Sequence, residues 1–332
     1  MNRLAIIGGG SWGTALAIVL APRFERVRLW AHEREVVLSM TDKRQNEVFL
    51  PGFWLPPQVE PTGEMGVALE NADIVLGVMP SHHARAVYER MSSFLLPSMR
   101  FVSATKGIEN GTLMRMSQVI ADVVGRKFVP RVAVLSGPTF AKEIAQGEPA
   151  TAAIASTDLE LAREIQSAFA GPSFRLYTNS DPVGVELGAS LKNVIAIAAG
   201  VCHGLNLGSN VMAALITRGL AEISRLAVAL GGQPRTLAGL AGLGDLVLTC
   251  TGDLIRNRTV GIELGRGRGL PEILESMRMV AEGIHTTYAA VDLARRESVE
   301  MPITEQMNLV LREGKTPREA IRDLMERSLK AE

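Results

Sequence analysis

Cysteine is scarce in this chain: Cys202 and Cys250 are the only two among 332 residues, and neither sits in a C-x-x-C pair or at metal-ligand spacing from a histidine. That argues against a disulfide framework and fits a reduced, cytoplasmic protein. An excess of charge is also missing, since 35 basic residues face 35 acidic ones and the net charge is 0. The balance speaks against a general nucleic-acid or membrane-surface binder, while leaving room for a local basic pocket. Gly, Lys or Arg breaks the longest apolar runs, so no segment reads as transmembrane and no membrane insertion is expected. A strand that begins at Leu4 leaves no room for a signal peptide. Repeats and low-complexity tracts are lacking too. His82-His83 has no acidic partner that would suggest a metal site. What remains is an ordinary globular composition, 47% hydrophobic and 21% charged, at a length that suits two domains with a core each.

What the chain does have is a glycine-rich start. Leu4–Ile7 is a short apolar run of the kind that forms a strand buried on both faces. Gly8, Gly10 and Gly13 follow at G-x-G-x-x-G spacing, and Trp12, Ala15, Leu16 and Val19 then form an apolar stripe at helical spacing. In such a unit Gly8 permits the tight turn, Gly10 lets backbone approach a pyrophosphate, and Gly13 lets the helix pack on the sheet. The free N–H groups and positive dipole end of the helix face the phosphates. Three close glycines alone would equally suit a plain turn. The strand before and the helix after favour a dinucleotide cradle.

The first half of the chain alternates strand and helix. Strands are expected at Val27–Trp30, Asp73–Met79, Phe101–Ala104 and Val132–Ser136, and helices at Ser11–Ala21 (closed by Pro22), His82–Phe94 and Met114–Val124. Ala150–Ala155 and Phe174–Tyr177 read as two further strands around a helix at Leu159–Ala168. This is the pattern of a parallel, doubly wound α/β sheet of Rossmann type. The character changes at Asn179-Ser180-Asp181-Pro182, where Asp181 suits an N-cap and Pro182 the first helical position. Helices are expected at 182–202, 210–230, 256–266, 283–297, 303–313 and 317–329, the last opened by the capping box Thr316-Pro317-Arg318-Glu319. Nothing after Pro182 reads firmly as a strand. The expected organisation is a Rossmann-type dinucleotide-binding domain over 1–180 and an all-α, substrate-binding domain over 181–332, with the active site in the cleft between them.

Four clusters could carry chemistry. Ser103-Ala104-Thr105-Lys106-Gly107 follows the carboxyl end of a strand, where open α/β sheets bind ligands. Ser136-Gly137-Pro138-Thr139-Phe140-Ala141 follows the next strand and leads into a helix. Ser190-Leu191-Lys192-Asn193 lies inside the first helix of the second domain, and Gly242-Leu243-Gly244-Asp245 precedes Arg256-Asn257-Arg258. Lys106 reads either as an exposed loop lysine or as a ligand-facing one. Lys192 sits between Leu191 and the apolar Val194–Ala199 in a helix with almost no other charge after Glu186, so it either snorkels to solvent or is held for a purpose. Asp245 is open to a capping reading, and Arg256 with Arg258 to that of a solvated face. His203 beside Cys202 suits a satisfied helix end better than a ligand, and His82-His83 a solvent-facing cap.

A nicotinamide enzyme reducing a ketone needs a cofactor cradle, a proton source beside the new alkoxide, and a grip on the rest of the substrate. A lysine ammonium can supply the proton, and its unperturbed pKa of ~10.4 falls when it is desolvated or placed near a second cation. Lys106 could be that cation. An arginine with a neighbouring amide suits a phosphate. Beyond strand Val27–Trp30 the ribose position offers His32, Glu33 and Arg34; both signs are present, so use of NADH and NADPH alike is expected.

Together these segments closely resemble the bacterial NAD(P)-dependent sn-glycerol-3-phosphate dehydrogenases, over essentially the whole chain. The matching stretches are Gly8-Gly-Gly-Ser-Trp-Gly13, Leu50-Pro-Gly52, Ala104-Thr-Lys-Gly-Ile-Glu109, Leu135-Ser-Gly-Pro-Thr-Phe-Ala141, Ser190-Leu-Lys-Asn-Val194, Gly242-Leu-Gly-Asp-Leu-Val-Leu-Thr-Cys-Thr251, Arg256-Asn-Arg258 and Val280-Ala-Glu-Gly283. Each is modest by itself; their order and spacing are specific. The resemblance implies reduction of dihydroxyacetone phosphate to sn-glycerol 3-phosphate, the backbone precursor of membrane phospholipids, with NADPH or NADH. It implies Lys192 as the proton acceptor of the reverse reaction and Lys106 in contact with both substrate and nicotinamide. Gly137, Thr139, Asp245, Arg256 and Asn257 match substrate positions, while Ser11, Trp12, His32, Ala141, Val280, Glu282 and again Arg256 match cofactor positions. Two departures stand out: Ile255 where the family commonly has serine, which removes a side-chain hydroxyl, and Thr139 for serine, which keeps one. The family, with the long apolar helices of the second domain, suggests a homodimer. Two rivals stay open. One is a dehydrogenase of the same architecture acting on a hydroxy acid or phosphosugar, against which Arg256-Asn257 and Gly244-Asp245 favour a triose phosphate. The other is a non-catalytic nucleotide sensor, whose mark would be loss of the two lysines.

Overall fold

A computed structural model describes residues 1–252, 256–277 and 281–329. The chain forms two compact units, Met1–Lys106 with Met114–Glu186, and Gly107–Leu113 with Leu187–Glu332.

The first unit is built on one sheet of β1 (Arg3–Ile7), β2 (Arg26–Trp30), β3 (Val59–Thr62), β4 (Ile74–Gly77), β5 (Arg100–Ser103), β6 (Arg131–Ser136), β7 (Ala150–Ala155) and β8 (Phe174–Asn179). Their spatial order is β8-β7-β6-β5-β4-β1-β2-β3. Because alternate side chains leave a strand on opposite faces, Leu4 and Ile6 enter one core while Ala5 and Ile7 enter the other. Helices Ser11–Leu20 and Leu159–Phe169 cover the first face, and Ser81–Met91 and Met116–Val124 the second. β1 lies between β2 and β4, parallel to both, so the strand order reverses there. Such a reversal opens a crevice outside the carboxyl ends of the strands.

The sheet is mixed rather than wholly parallel. β7 runs antiparallel to β6, and β8 follows β7 in parallel. The reason lies in the connection. The helix between β6 and β7, Ala141–Gln146, has 6 residues and ends at Gly147 in the left-handed conformation. Six helical residues rise roughly 9 Å, whereas a strand of that length spans about 20 Å. The chain therefore re-enters the sheet from the same end of the strands that it left. Several elements fall where the sequence pattern pointed to none. β3 extends the sheet beyond β2, helix Arg34–Asp42 buries Val36 and Met40, and Gln45–Asn46 pairs antiparallel with Leu50–Trp54. The first helix stops at Leu20, with Ala21–Arg23 forming a 3-10 turn around Pro22. Both sheet edges are blunted. β3 carries Pro61, and the Leu176 carbonyl of β8 accepts from Gln166 Nε2 at 2.8 Å.

The second unit is helical among the described residues, with long helices at Pro182–Gly204 (all but its first five residues), Ser209–Ala229, Glu282–Arg296 and Pro302–Glu313 and shorter ones between. Pro182–Gly204 is long and apolar enough to cross a membrane, but that stretch is buried inside the protein, as in a core helix. The Asp181 carboxylate caps it, accepting from the Gly184 N–H at 2.8 Å. The Thr316/Glu319 capping box forms as expected, yet its helix ends at Met325 rather than 329, because only Ala320 along it is buried.

One cap could not be anticipated. The helix Pro302–Glu313 has Met301 at its N-cap, a residue whose side chain has no oxygen to offer, and Pro302 brings no N–H. Glu222 replaces the cap from another helix: its carboxylate accepts from Ile303 N at 2.6 Å, Thr304 N at 3.2 Å and Thr304 Oγ1 at 3.1 Å. Burial pushes this carboxyl up to about 7, outweighing the hydrogen bonds and the Arg225 charge that pull it down.

A carboxyl raised in the folded state binds its proton there more tightly than in the unfolded chain. Its contribution to stability is full below the ordinary carboxylate range and is lost as pH rises through about 7. Relative to Glu222→Gln, the wild-type protein should therefore lose on the order of 2 kcal/mol between about pH 5 and pH 8. Urea unfolding of both proteins at the two pH values measures this; parallel pH profiles would show that Glu222 stays ionised throughout.

Candidate active site

The glycine loop has the geometry its spacing implies. Gly8 has φ +129°, and a Cβ there would lie 2.6 Å from the Val78 carbonyl oxygen. A side chain on Gly13 would come within 1.8 Å of the Gly8 oxygen, so the helix packs its first turn directly on the loop. Around Gly10 there is no atom within 4 Å of where a Cβ would stand. That open residue is the N-cap of helix Ser11–Leu20, and no side chain caps it. Backbone N–H groups at such a terminus suit an anion. In the same turn Trp12 Nε1 is buried without a hydrogen-bond partner, a donor in want of an acceptor. These features fit the pyrophosphate of a dinucleotide.

The other candidates of the first unit follow the carboxyl ends of strands that run parallel to β1. His32 is exposed just beyond β2, and Lys106 is half-buried just beyond β5. After β6, Gly137 is pressed against β7, with a Cβ there falling 2.8 Å from Ala152 Cα. Thr139 Oγ1 donates to the Gly137 carbonyl at 3.1 Å, and Ala141 opens the short helix. Parallel strands thus bring Gly8–Gly13, His32, Lys106, Gly137, Thr139 and Ala141 to the carboxyl ends of the strands on one side of the sheet.

In the second unit the central group is Lys192. It is 7% exposed, and Asp245 beside it is 0% exposed. Lys192 Nζ donates to Asp245 Oδ1 at 2.5 Å and to Thr249 Oγ1 at 2.7 Å. Asp245 and Thr249 stand one turn apart on helix Asp245–Thr251 and so present their oxygens on one face. Gly188 lies one turn before Lys192 on its own helix. A Cβ there would meet the Ala241 carbonyl at 2.5 Å, so the turn that leads into Asp245 crosses at backbone contact. Lys192 neither snorkels nor stands alone. It is a buried ammonium with a buried counter-ion.

A second backbone contact fixes the neighbouring helix Arg256–Gly265. Gly200 and Gly204 face Gly261 and Gly265, and a Cβ on Gly261 would lie 2.0 Å from the Ile197 carbonyl oxygen. Arg256, at the start of that helix, is exposed. Asn257 is buried, and its Oδ1 accepts from the Gly283 N–H at 3.0 Å, which leaves its Nδ2 to donate elsewhere. Glu282, half-buried, opens the helix that Asn257 caps. Arg258 is no solvated face: it is buried, donates to the Gly252 carbonyl at 3.0 Å and meets His203 Nδ1 at 3.4 Å. Ser190 Oγ accepts from Gly107 N at 2.9 Å and so holds the segment Gly107–Leu113 on the lysine helix. Ile255 and Val280 lie outside the described residues. His82 and His83 face solvent as expected, their rings 4.0 Å apart. Burial pushes the Cys202 thiol up to about 11 and that of Cys250 up to about 12, so neither is a nucleophile at neutral pH. Among the described residues no group of three or more His, Cys, Asp or Glu is arranged to hold a metal.

Sequence reasoning singled out Lys192 and Asp245 but not Thr249, although a hydroxyl one turn beyond Asp245 was a readable signal. It also passed over the paired G-x-x-x-G spacings at Gly200–Gly204 and Gly261–Gly265.

Comparison with known proteins matches both units. The family models described as NAD-dependent glycerol-3-phosphate dehydrogenase N-terminus and C-terminus match residues 3–162 and 181–322. A Koribacter versatilis protein named glycerol-3-phosphate dehydrogenase (NAD(P)+) is 58% identical over 329 residues, which cover 98% of each chain. One of the same name from Geobacter sulfurreducens is 52% identical, covering 100% of this chain and 99% of its own. The crystal structure of a glycerol-3-phosphate dehydrogenase from Coxiella burnetii superposes with a TM-score of 0.94 at 40% identity, over 98% of this chain and 99% of that one.

The helix crossing at Gly261 yields a stability prediction. Gly261→Ala forces a methyl into the opposing backbone and should lower the unfolding free energy by about 2 kcal/mol or more, the upper part of the overpacking range. Urea denaturation measures it; a loss under about 0.5 kcal/mol would mean that the helices part without cost.

Proposed function

Given that the chain belongs to the NAD-dependent glycerol-3-phosphate dehydrogenase family and is an NAD(P)-dependent oxidoreductase, we propose that it reduces dihydroxyacetone phosphate to sn-glycerol 3-phosphate with Lys192 as the acid. The product is the backbone precursor of membrane phospholipids. The observation that carries the reading is the Lys192 ammonium, buried in an apolar helix and held by Asp245 and Thr249. A charge kept out of water at this cost, in a pocket with its own counter-ion, is suited to moving a proton.

The glycine loop with Ser11 and Trp12 would hold the pyrophosphate, and His32 the ribose of either cofactor. Ala141, Arg256, Val280 and Glu282 are further cofactor positions. When bound, the reduced nicotinamide supplies the hydride to the ketone carbon. Lys192 gives the Nζ proton to the carbonyl oxygen and regains one from water. Asp245 and Thr249 keep that nitrogen charged and oriented between turnovers, since an unpaired ammonium could not stay buried. In the oxidative direction the neutral amine takes the hydroxyl proton. Lys106, Gly137 and Thr139 are further proposed substrate positions, and Lys106 a nicotinamide position too. Arg256 and the free Nδ2 of Asn257 suit the phosphate, because a guanidinium donates in a planar fork at a helix start.

Two expectations follow. Lys192→Met keeps the stem and removes the ammonium, and should lower kcat by about 100-fold or more while NADPH affinity is unchanged. Since the change strands Asp245, circular dichroism must accompany the assay; a folded mutant with normal turnover would remove Lys192 from the chemistry. Arg256→Ala should cripple reduction of dihydroxyacetone phosphate yet barely alter the already poor reduction of bare dihydroxyacetone, because the phosphate's binding energy orients the carbonyl. Equal losses on the two ketones would assign Arg256 to cofactor binding or folding.

A further inference from the structure

Asn46 is a buried polar residue that the chemistry just described does not use. It is 0% exposed and belongs to the short hairpin after helix Arg34–Asp42. Its Nδ2 donates to the Gly9 carbonyl at 2.7 Å and to Thr14 Oγ1 at 2.8 Å, while its Oδ1 accepts from the Phe49 N–H at 3.0 Å. The partners fix which end of the amide points where: two acceptors face the nitrogen and one donor faces the oxygen. Leu50 and Leu55 anchor the hairpin in the same core as Leu16 of the loop's helix. Gly9 is held on its other side too, since a Cβ there would lie 2.5 Å from Ala31 Cβ.

We infer that Asn46 is a positioning residue for the cofactor: it sets the plane of the Gly9–Gly10 peptide and so aims the Gly10 N–H. Carbonyl and following N–H point in opposite directions across a trans peptide, and the chain has no cis peptide among its described residues. With the Gly9 oxygen drawn to Asn46, the Gly10 N–H is turned away from the hairpin, on the residue whose surroundings are open. Glycine flanked by glycine would otherwise rotate through several orientations, and that freedom would be lost anew at each binding event. Bonding to Thr14 ties the same amide to the first turn of the helix, so loop and helix start move as one piece. The inference rests on the NAD(P) cradle and adds a residue that does not touch the cofactor.

The test is direct binding of NADP+, followed by quenching of tryptophan fluorescence, with steady-state kinetics alongside. Asn46→Ala should raise Kd for NADP+ and KM for NADPH about tenfold, the equivalent of one buried hydrogen bond, leaving kcat at saturating NADPH and KM for dihydroxyacetone phosphate within about twofold. Asn46→Asp separates aiming from hairpin stability. It keeps the acceptor for Phe49 but loses both donors, so at about pH 8 it should bind NADP+ at least as poorly as the alanine variant. As the pH falls towards about 5, protonation of the buried carboxyl restores one donor for Gly9, and the ratio of the variant's Kd to the wild-type Kd at the same pH should fall; the ratio cancels the titration of the 2′-phosphate and of His32 that both proteins share. Should the alanine variant not fold, this pH series decides. Kd values within about twofold of wild type in both variants would overturn the inference. So would an Asn46→Asp protein whose weakening relative to wild type is the same at both pH values, because a hairpin that is merely loosened has no proton to regain.

Discussion

The second unit is organised around the difficulty of burying one ammonium ion. Lys192 lies near the middle of a largely apolar helix and is only 7% exposed. A lone charge in that position would cost more than the helix gains by packing. Asp245 and Thr249 make the position tenable, and both must arrive on the correct face at the correct height. An ion pair of this kind contributes little net stability compared with an apolar replacement of the same volume. Stability alone therefore does not account for a charge in an otherwise oily helix, which is why the proton transfer is proposed to occur there.

Bringing oxygens to that nitrogen is a problem of backbone approach, solved with small residues. Where Gly188 stands, any side chain would push away the turn before Asp245; where Gly200 and Gly204 stand, it would push away the helix that starts with Arg256. The helix thus touches its neighbours through its bare backbone on either side of the lysine. Gly283 closes the arrangement, since a Cβ there would lie 2.8 Å from both the Asn193 carbonyl and Asn257 Oδ1. Lys192 and Asn257 are thus positioned by the same set of close contacts.

Much of this was legible in the chain. The alternation of apolar runs and helical stripes located seven of the eight strands of the Rossmann-type sheet to within a residue or two, all but β3, and the glycine spacing predicted three different environments that Gly8, Gly10 and Gly13 occupy. Local caps at Asp181 and Thr316 were readable because donor and acceptor lie within one turn. What escaped were pairings between distant residues. Nothing near Met301 announces that Glu222 will cap its helix, and nothing near Gly107 shows that Ser190 will hold it. The direction of β7 escaped for another reason. It depends on the length of one connecting helix rather than on the strand's own pattern. Lys192 was noticed as an oddity, but Thr249 looked like any hydroxyl until the structure placed it beside the ammonium.

The blunted sheet edges bear on how the protein behaves when crowded. An eight-stranded sheet offers two rows of backbone groups to any passing extended chain, a nascent or partly unfolded copy included. At one edge Pro61 has no N–H to give, and at the other the Leu176 carbonyl is already taken by Gln166. A stray strand would have to evict Gln166 or forgo a rung at Pro61. Association of native copies is thereby steered towards side-chain surfaces, where shape and charge can select the mate, and away from the indiscriminate zippering of main chains.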